Sequence, residues 1–186
     1  MLHHTTFEFR EKLMPRRKDA TNLIVIHHSR VTGKHSVREI HAWHRNRKTK
    51  DGKRWAGIGY HFYVRKDGEI YVGRPLDTVG AHAYGFNSRS IGVCFEGDFN
   101  CETMEDLQLN ASVMLLSLLS LAYGNAGFRR HDTLDPKSCC PGTNFPYDRL
   151  IARVRACKRQ MVALFGKAGG RIYGDLLNIL MENKDK

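Results

Sequence analysis

Several things are scarce or missing in this 186-residue chain, and each absence excludes something. No apolar run approaches the roughly 20 residues that a membrane-spanning helix needs, so no span is expected. The start, "MLHHTTFEFREKLMPRRKDATN", lacks the apolar core of a signal peptide, which reads as synthesis in a cytoplasm without an export signal. There is no internal repeat and no low-complexity tract. Acid is short: 19 Asp and Glu stand against 30 Lys and Arg, a net charge of +11. That balance implies an anionic partner, whether nucleic acid, membrane surface or wall polymer, and does not choose among them. The five cysteines, Cys94, Cys101, Cys139, Cys140 and Cys157, are odd in number. With no export signal this argues against a disulfide framework and for metal ligands or buried thiols. Adjacent cysteines such as Cys139 and Cys140 rarely bridge each other, because the geometry is strained.

What is present is the pattern of one α/β domain. "LIVI" (23–26) reads as a buried strand ending in His27 and His28. Ser36 to about Arg45 reads as a helix with capping-box spacing between Ser36 and Glu39, and with Val37, Ile40 and Trp43 on its inner face. "KTKDGKRWAGIG" (48–59) is a Gly-rich basic loop. The runs 60–65 and 69–73 flank Lys66-Asp67-Gly68, a strong hairpin signal. Residues 78–90 form a polar loop of the kind that builds a site on a scaffold. Residues 91–95 read as another buried strand, and 103–123 as a long helix begun by Thr103 and stopped by Gly124. That helix is apolar nearly all round, so it should be covered on more than one side. A further helix, 146–165, turns Leu150, Val154, Cys157, Met161 and Leu164 inward. After "GKAGG" (166–170) comes a short amphipathic stretch, 171–182, with Ile172, Leu176, Ile179 and Leu180 on one side. The expected organisation is an N-terminal extension (1–21), one main domain (22–166), and a Gly-rich joint with a short amphipathic helix (167–186).

The chemistry gathers around "HDTLDPKSCCPG" (131–142). His27 ends a buried strand, and His131 and Cys140 flank a Pro-containing loop. Two imidazoles and one thiolate are three protein ligands, the number a catalytic zinc takes while its fourth position stays open to water or substrate. Ten histidines offer many such triples, and a histidine at a strand end is more often structural. Read alone, the residues leave a metal site and ordinary core positions both open.

Four segments in order sharpen the reading: "IVIHHS" (24–29), "GIGYHFYVRKDGEIYVGRP" (57–75), "VGAHAYGFNSRSIGVCFEGDF" (79–99) and "SCCPGTNFP" (138–146). Together they resemble the zinc-dependent N-acetylmuramoyl-L-alanine amidases, the superfamily of phage endolysins and peptidoglycan recognition proteins. The resemblance runs from about residue 22 to residue 165. It implies that superfamily's fold, a mixed central β-sheet flanked by helices, and one zinc ion per chain held by His27, His131 and Cys140. It implies hydrolysis, by zinc-activated water, of the amide between the lactyl group of N-acetylmuramic acid and L-alanine of the stem peptide. It also implies an enzyme made in a host cytoplasm that acts on the wall after release.

Carried over residue by residue, Tyr60 matches an active-site tyrosine able to donate to an oxyanion, and His82 and Asn87 match residues lining the substrate site. "SCCPG" fits a hydroxyl residue at Ser138 with Cys140 as ligand. The alternative pattern Lys-x-Cys-Pro, found in some phage members, would make Cys139 the ligand and Lys137 a catalytic lysine. Some relatives carry a general-base Glu where this chain has Cys94. Glu96, two residues on and on the same strand face, is the candidate to replace it. Peptidoglycan is the implied partner, with anionic wall polymers as a further one suited to the +11 charge. A nucleic-acid partner is not expected, since no helix-turn-helix, RNP or finger spacing is present. The competing reading is a peptidoglycan-binding or regulatory protein on the same fold without hydrolysis. In this superfamily loss of the zinc cysteine marks many non-enzymatic members, and here Cys140 and Tyr60 are both present.

Overall fold

A computed structural model describes residues 1–16, 18–49, 51–166, 172–175 and 177–178. Its centre is a six-stranded mixed sheet: β1 (Leu2–His4), β2 (Leu23–His28), β3 (Phe62–Val64), β4 (Ile70–Val72), β5 (Ser90–Phe95) and β6 (Gly127–Arg130), in the order β1-β4-β3-β5-β2-β6. Among the strand pairs of this sheet, in the described residues, only β3–β4 is antiparallel. The α-helices made wholly of described residues are α1 (Val37–Asn46), α2 (Asp106–Ala122) and α3 (Tyr147–Phe165), and residues 172–175 and 177–178 are also helical. The fold class expected from the sequence is the one observed.

β2 and β5 are buried along their whole length, which is why both read as continuous apolar runs. Period-two alternation then sorts their side chains between the faces. Ile24, Ile26, Ile91, Val93 and Phe95 pack with α2 and α3 in the larger core. Leu23 and Val25 face the opposite side, where Ala83 covers them, and Tyr63 and Cys94 pack there beneath Val37 and Ile40 of α1. His27 continues the Leu23–Val25 face, beside Cys94 in register. The sheet thus delivers His27 to the α1 side before any site chemistry is considered.

α2 is covered on two sides, by the sheet and by α3, as its all-round apolarity demanded. It starts after Glu105 rather than at Thr103, without a side-chain cap. α1 carries the expected capping box, with Ser36 and Glu39 bonded both ways. Its buried face differs from expectation: Val37, Ile40, His41 and His44 lie inside, and Trp43 is 39% exposed. The spacing i, i+3, i+4, i+7 selects those four positions, and Trp43 falls off that stripe. In α3 burial is confined to the first half, at Leu150, Ile151 and Val154. Cys157 and Met161 pack partly against the core, and Leu164, expected inside, is 77% exposed. In the C-terminal segment Tyr173 and Leu177 are buried and Ile172 is exposed. Leu176, Ile179 and Leu180 lie outside the described residues.

The N-terminal residues join the sheet through β1 and then run along the 73–90 loop. Phe7 stacks on His41 with ring centroids 4.5 Å apart, Val79 N–H donates to Met14 O at 2.8 Å, and the buried Arg16 guanidinium donates to Ser90 O at 2.8 Å. This segment therefore braces the loop that carries His82 and Asn87. All five cysteines are free, and no helix among the described residues is long and apolar enough to cross a membrane.

Candidate metal centre

His27, from the end of β2, meets His131 and Cys140, from the loop between β6 and α3. One ligand-capable atom from each lies within 4.8 Å of the others. His27 Nδ1 is 3.6 Å from Cys140 Sγ. Two tetrahedral zinc ligands at ordinary Zn–N and Zn–S distances are about 3.5 Å apart, so this edge already has the right length. The donor set fits: two nitrogens, one sulfur, and no fourth protein ligand grouped with them among the described residues.

The 131–142 loop closes on itself to hold its two donors. Asp132 N–H donates to Cys140 O at 2.7 Å, and Arg130 grips Asp132 through Nε and Nη2 while reaching Gly142 O. Ser138 Oγ accepts from Cys140 N–H at 3.1 Å and lies 3.2 Å from His131 Nδ1, so one hydroxyl touches both ligand residues. The loop turns away at Gly142, where φ is +101° and a Cβ would stand 2.5 Å from the Phe99 backbone. Only glycine fits there. His28, on the other face of β2, donates its backbone N–H to Cys140 Sγ at 3.3 Å and accepts Phe99 N–H at Nδ1.

The electrostatics suit a cation. Burial, reinforced by His82 and His131, holds His27 well below the usual imidazole range, and burial lowers His131 too. Both rings are therefore neutral at pH 7, as ligands must be. Burial pushes the Cys140 thiol up to about 12, opposed by the His28 amide. A bound metal would reverse this, because a coordinating thiol gives up its proton.

Around the centre lies a cleft of about 370 Å³, with Arg30, Arg47, Trp55, Tyr60 and Lys137 among its walls. Tyr60 stands beside His27, ring centroids 5.1 Å apart. Burial, with the Cys94 and Cys140 thiols adding to it, raises its phenol well above the ordinary value, so the hydroxyl remains a donor. Lys137 is exposed on the rim. Cys139 is exposed, with its sulfur 3.9 Å from Asn100 Nδ2, and it is Cys140 that joins the histidines.

Three further candidates have polar atoms engaged within the fold, although His82 still lines the cleft. Glu96 does share the Cys94 face, but it is fully buried away from the cleft. Its Oε1 accepts His35 N–H and its Oε2 accepts Lys66 N–H, so both oxygens already fasten backbone. His82 does not hold out a free nitrogen toward substrate: its Nδ1 is 3.0 Å from His27 Nε2 and its Nε2 is 3.4 Å from Ser90 Oγ. Asn87 Oδ1 accepts the backbone N–H groups of His82 and Ala83 and pins the loop. Short polar side chains in loops commonly satisfy nearby backbone in this way, and sequence cannot tell that from substrate contact. Conversely, Arg30, Arg47 and Trp55 reach the cleft without having been singled out. The one available signal was a tryptophan in a basic Gly-rich loop five residues before Tyr60.

The fold and the three donors define a class: a mixed-sheet scaffold carrying a three-donor site, able to hold a metal, at an open cleft. Comparison with known proteins narrows it. A family described as N-acetylmuramoyl-L-alanine amidase matches residues 17–143. The endolysin of Klebsiella phage KP32 is 34% identical over 130 residues, covering 66% of this chain and 82% of the relative. The endolysin of Escherichia phage T7 is 33% identical over 131 residues, covering 67% and 83%. Among solved structures, N-acetylmuramoyl-L-alanine amidase LysC from Clostridium intestinale URNW superposes with a TM-score of 0.73 at 34% identity, over 83% of this chain and 97% of that one. A peptidoglycan recognition protein ectodomain complex (LCa with LCx, bound to tracheal cytotoxin) gives 0.65 at 29%, over 75% and 86%. The chain belongs to the N-acetylmuramoyl-L-alanine amidase family, and its activity is peptidoglycan hydrolysis. The family is in general zinc-dependent.

Proposed function

We propose that His27, His131 and Cys140 hold one zinc ion and that the chain serves as an endolysin, cleaving the lactyl–L-alanine amide of the host wall. The observation that carries this is the convergence of the three donor atoms within 4.8 Å at a cleft. When bound, zinc would supply Lewis acidity, polarising the scissile carbonyl and bringing the pKa of a water to about 7. The chain's own residues do the rest. Tyr60, kept protonated by burial, donates its hydroxyl to the developing oxyanion. Arg30, Arg47 and Lys137 give the cleft a positive rim that attracts the carboxylates of a stem peptide. The net charge of +11 favours anionic wall polymers as an additional partner. Similarity to phage endolysins, which are released to the wall, supports the same deployment here.

The test is zinc content together with release of new L-alanine N-termini from peptidoglycan, for wild type, Cys140→Ala and Cys139→Ala. Cys140→Ala should lose both and Cys139→Ala neither. Loss confined to Cys139→Ala would move the ligand by one residue and bring Lys137 into the lysine role. A zinc-loaded wild type that binds peptidoglycan and releases no amine would show a binding module.

A further inference from the structure

His27 has two ring nitrogens, and a metal can take only one that carries no proton. Which one is bare is decided by a chain of hydrogen bonds whose direction can be read from its far end. Ser90 Oγ lies 2.7 Å from Phe86 O. A carbonyl only accepts, so the single hydroxyl proton of Ser90 is committed there. The contact between Ser90 Oγ and His82 Nε2, at 3.4 Å, must then be His82 donating. A neutral His82 protonated at Nε2 has a bare Nδ1. The 3.0 Å contact from that atom to His27 Nε2 therefore has His27 donating. His27 is left with a bare Nδ1, the atom 3.6 Å from Cys140 Sγ.

The His82 ring is built into place. A Cβ on Gly80 would stand 2.4 Å from its Cδ2, and a Cβ on Gly92 would stand 2.6 Å from its Cγ and Cδ2. Two glycines thus clear the slot the ring fills. Asn87 Oδ1 fixes its backbone, and Arg16 holds Ser90 O, fastening the start of β5. No carboxylate is bonded to His82 among the described residues, so nothing there favours the cation.

We infer that His82 is a positioning residue: with Ser90 it fixes His27 in the Nε2–H tautomer and so presents Nδ1 to the metal. The inference rests on the proposed zinc centre but is separable from it, because the tautomer exists in metal-free protein.

The experiment has two arms. In metal-free wild type, 15N NMR of labelled histidine should find His27 protonated at Nε2, and in Ser90→Ala that preference should weaken. Protonation of His27 at Nδ1 in the wild type would overturn the inference. In the second arm, zinc affinity is measured by chelator competition. His82→Leu should bind zinc about 10–100-fold more weakly, the usual range for losing a partner behind a metal-bound histidine. His82→Gln, whose amide oxygen can still accept from Nε2–H, should recover most of the loss. Affinity of His82→Leu within twofold of wild type would overturn the inference. If His82→Leu does not fold, His82→Gln and the NMR arm decide. If wild type binds no zinc, the metal reading fails, and the tautomer arm still judges His82.

Discussion

Acidification from pH 7 to pH 4.5 should destabilise this protein steeply through two histidines, His44 and His61, that lie outside the three-donor site. His44 Nδ1 accepts Gly59 N–H at 3.0 Å. His61 Nδ1 accepts Gly92 N–H at 3.0 Å while its Nε2 reaches Thr78 O at 3.0 Å. Protonating either Nδ1 would set a proton against an amide proton inside the protein. Burial, aided by nearby arginines, lowers both groups to about 3. In the unfolded chain each titrates near 6.5. Below that value the unfolded state binds protons that the native state refuses, so stability falls as pH falls. The contribution is complete above about pH 6.5 and is lost progressively down to about pH 3. At pH 4.5 the loss is about 2.5 kcal/mol for each histidine, or about 5 kcal/mol together, against a typical total of about 5–15 kcal/mol. Urea denaturation at pH 7, 6, 5 and 4.5 measures it, with a His44→Gln/His61→Gln variant as control. Glutamine can accept the same amides and does not titrate, so its stability should depend less on pH. A wild-type change below about 1 kcal/mol, or an equal slope in the variant, would refute the reasoning.

Other consequences follow from single side chains. Tyr60→Phe removes the hydroxyl donor and nothing else of bulk. It should lower kcat about 10²–10³-fold with zinc content unchanged, as losing one oxyanion donor does; a kcat within threefold of wild type would exclude Tyr60 from that role. Glu96→Gln should leave kcat nearly intact and cost about 1–3 kcal/mol in thermal or urea unfolding, since the carboxylate fastens the His35 and Lys66 amides. A stable but inactive Glu96→Gln would restore Glu96 as the base. Lys137→Met should raise KM more than it lowers kcat, as expected of a rim cation; a large fall in kcat alone would show that its ammonium acts on the reacting groups.

Much of this molecule was legible before any coordinates. Continuous apolar runs gave β2 and β5, Asp67-Gly68 gave the hairpin, and Ser36 with Glu39 gave the start of α1, because each signal is local and each element forms from neighbours in sequence. The order of four motifs gave the family and the ligand candidates. β1 and β6 carry no such signal, since a three- or four-residue edge strand is too short to show a period.

Side-chain roles were a different matter. Which of Cys139 and Cys140 meets the histidines depends on how a closed loop aims two neighbours, and only the folded loop aims Cys140. Glu96 lies on the face that strand alternation predicts, but its carboxylate is consumed by two amides from distant segments. His82 lies 55 residues from His27 in sequence, and no spacing rule reports that their rings touch at 3.0 Å. The sequence by itself determined which elements form and which residues could bind a metal, because propensity, periodicity and donor chemistry are carried by the residues themselves. The tertiary structure alone decided which donors converge, which polar atoms remain free, and which nitrogen of His27 faces Cys140, because those are properties of distances between parts of the chain far apart in sequence.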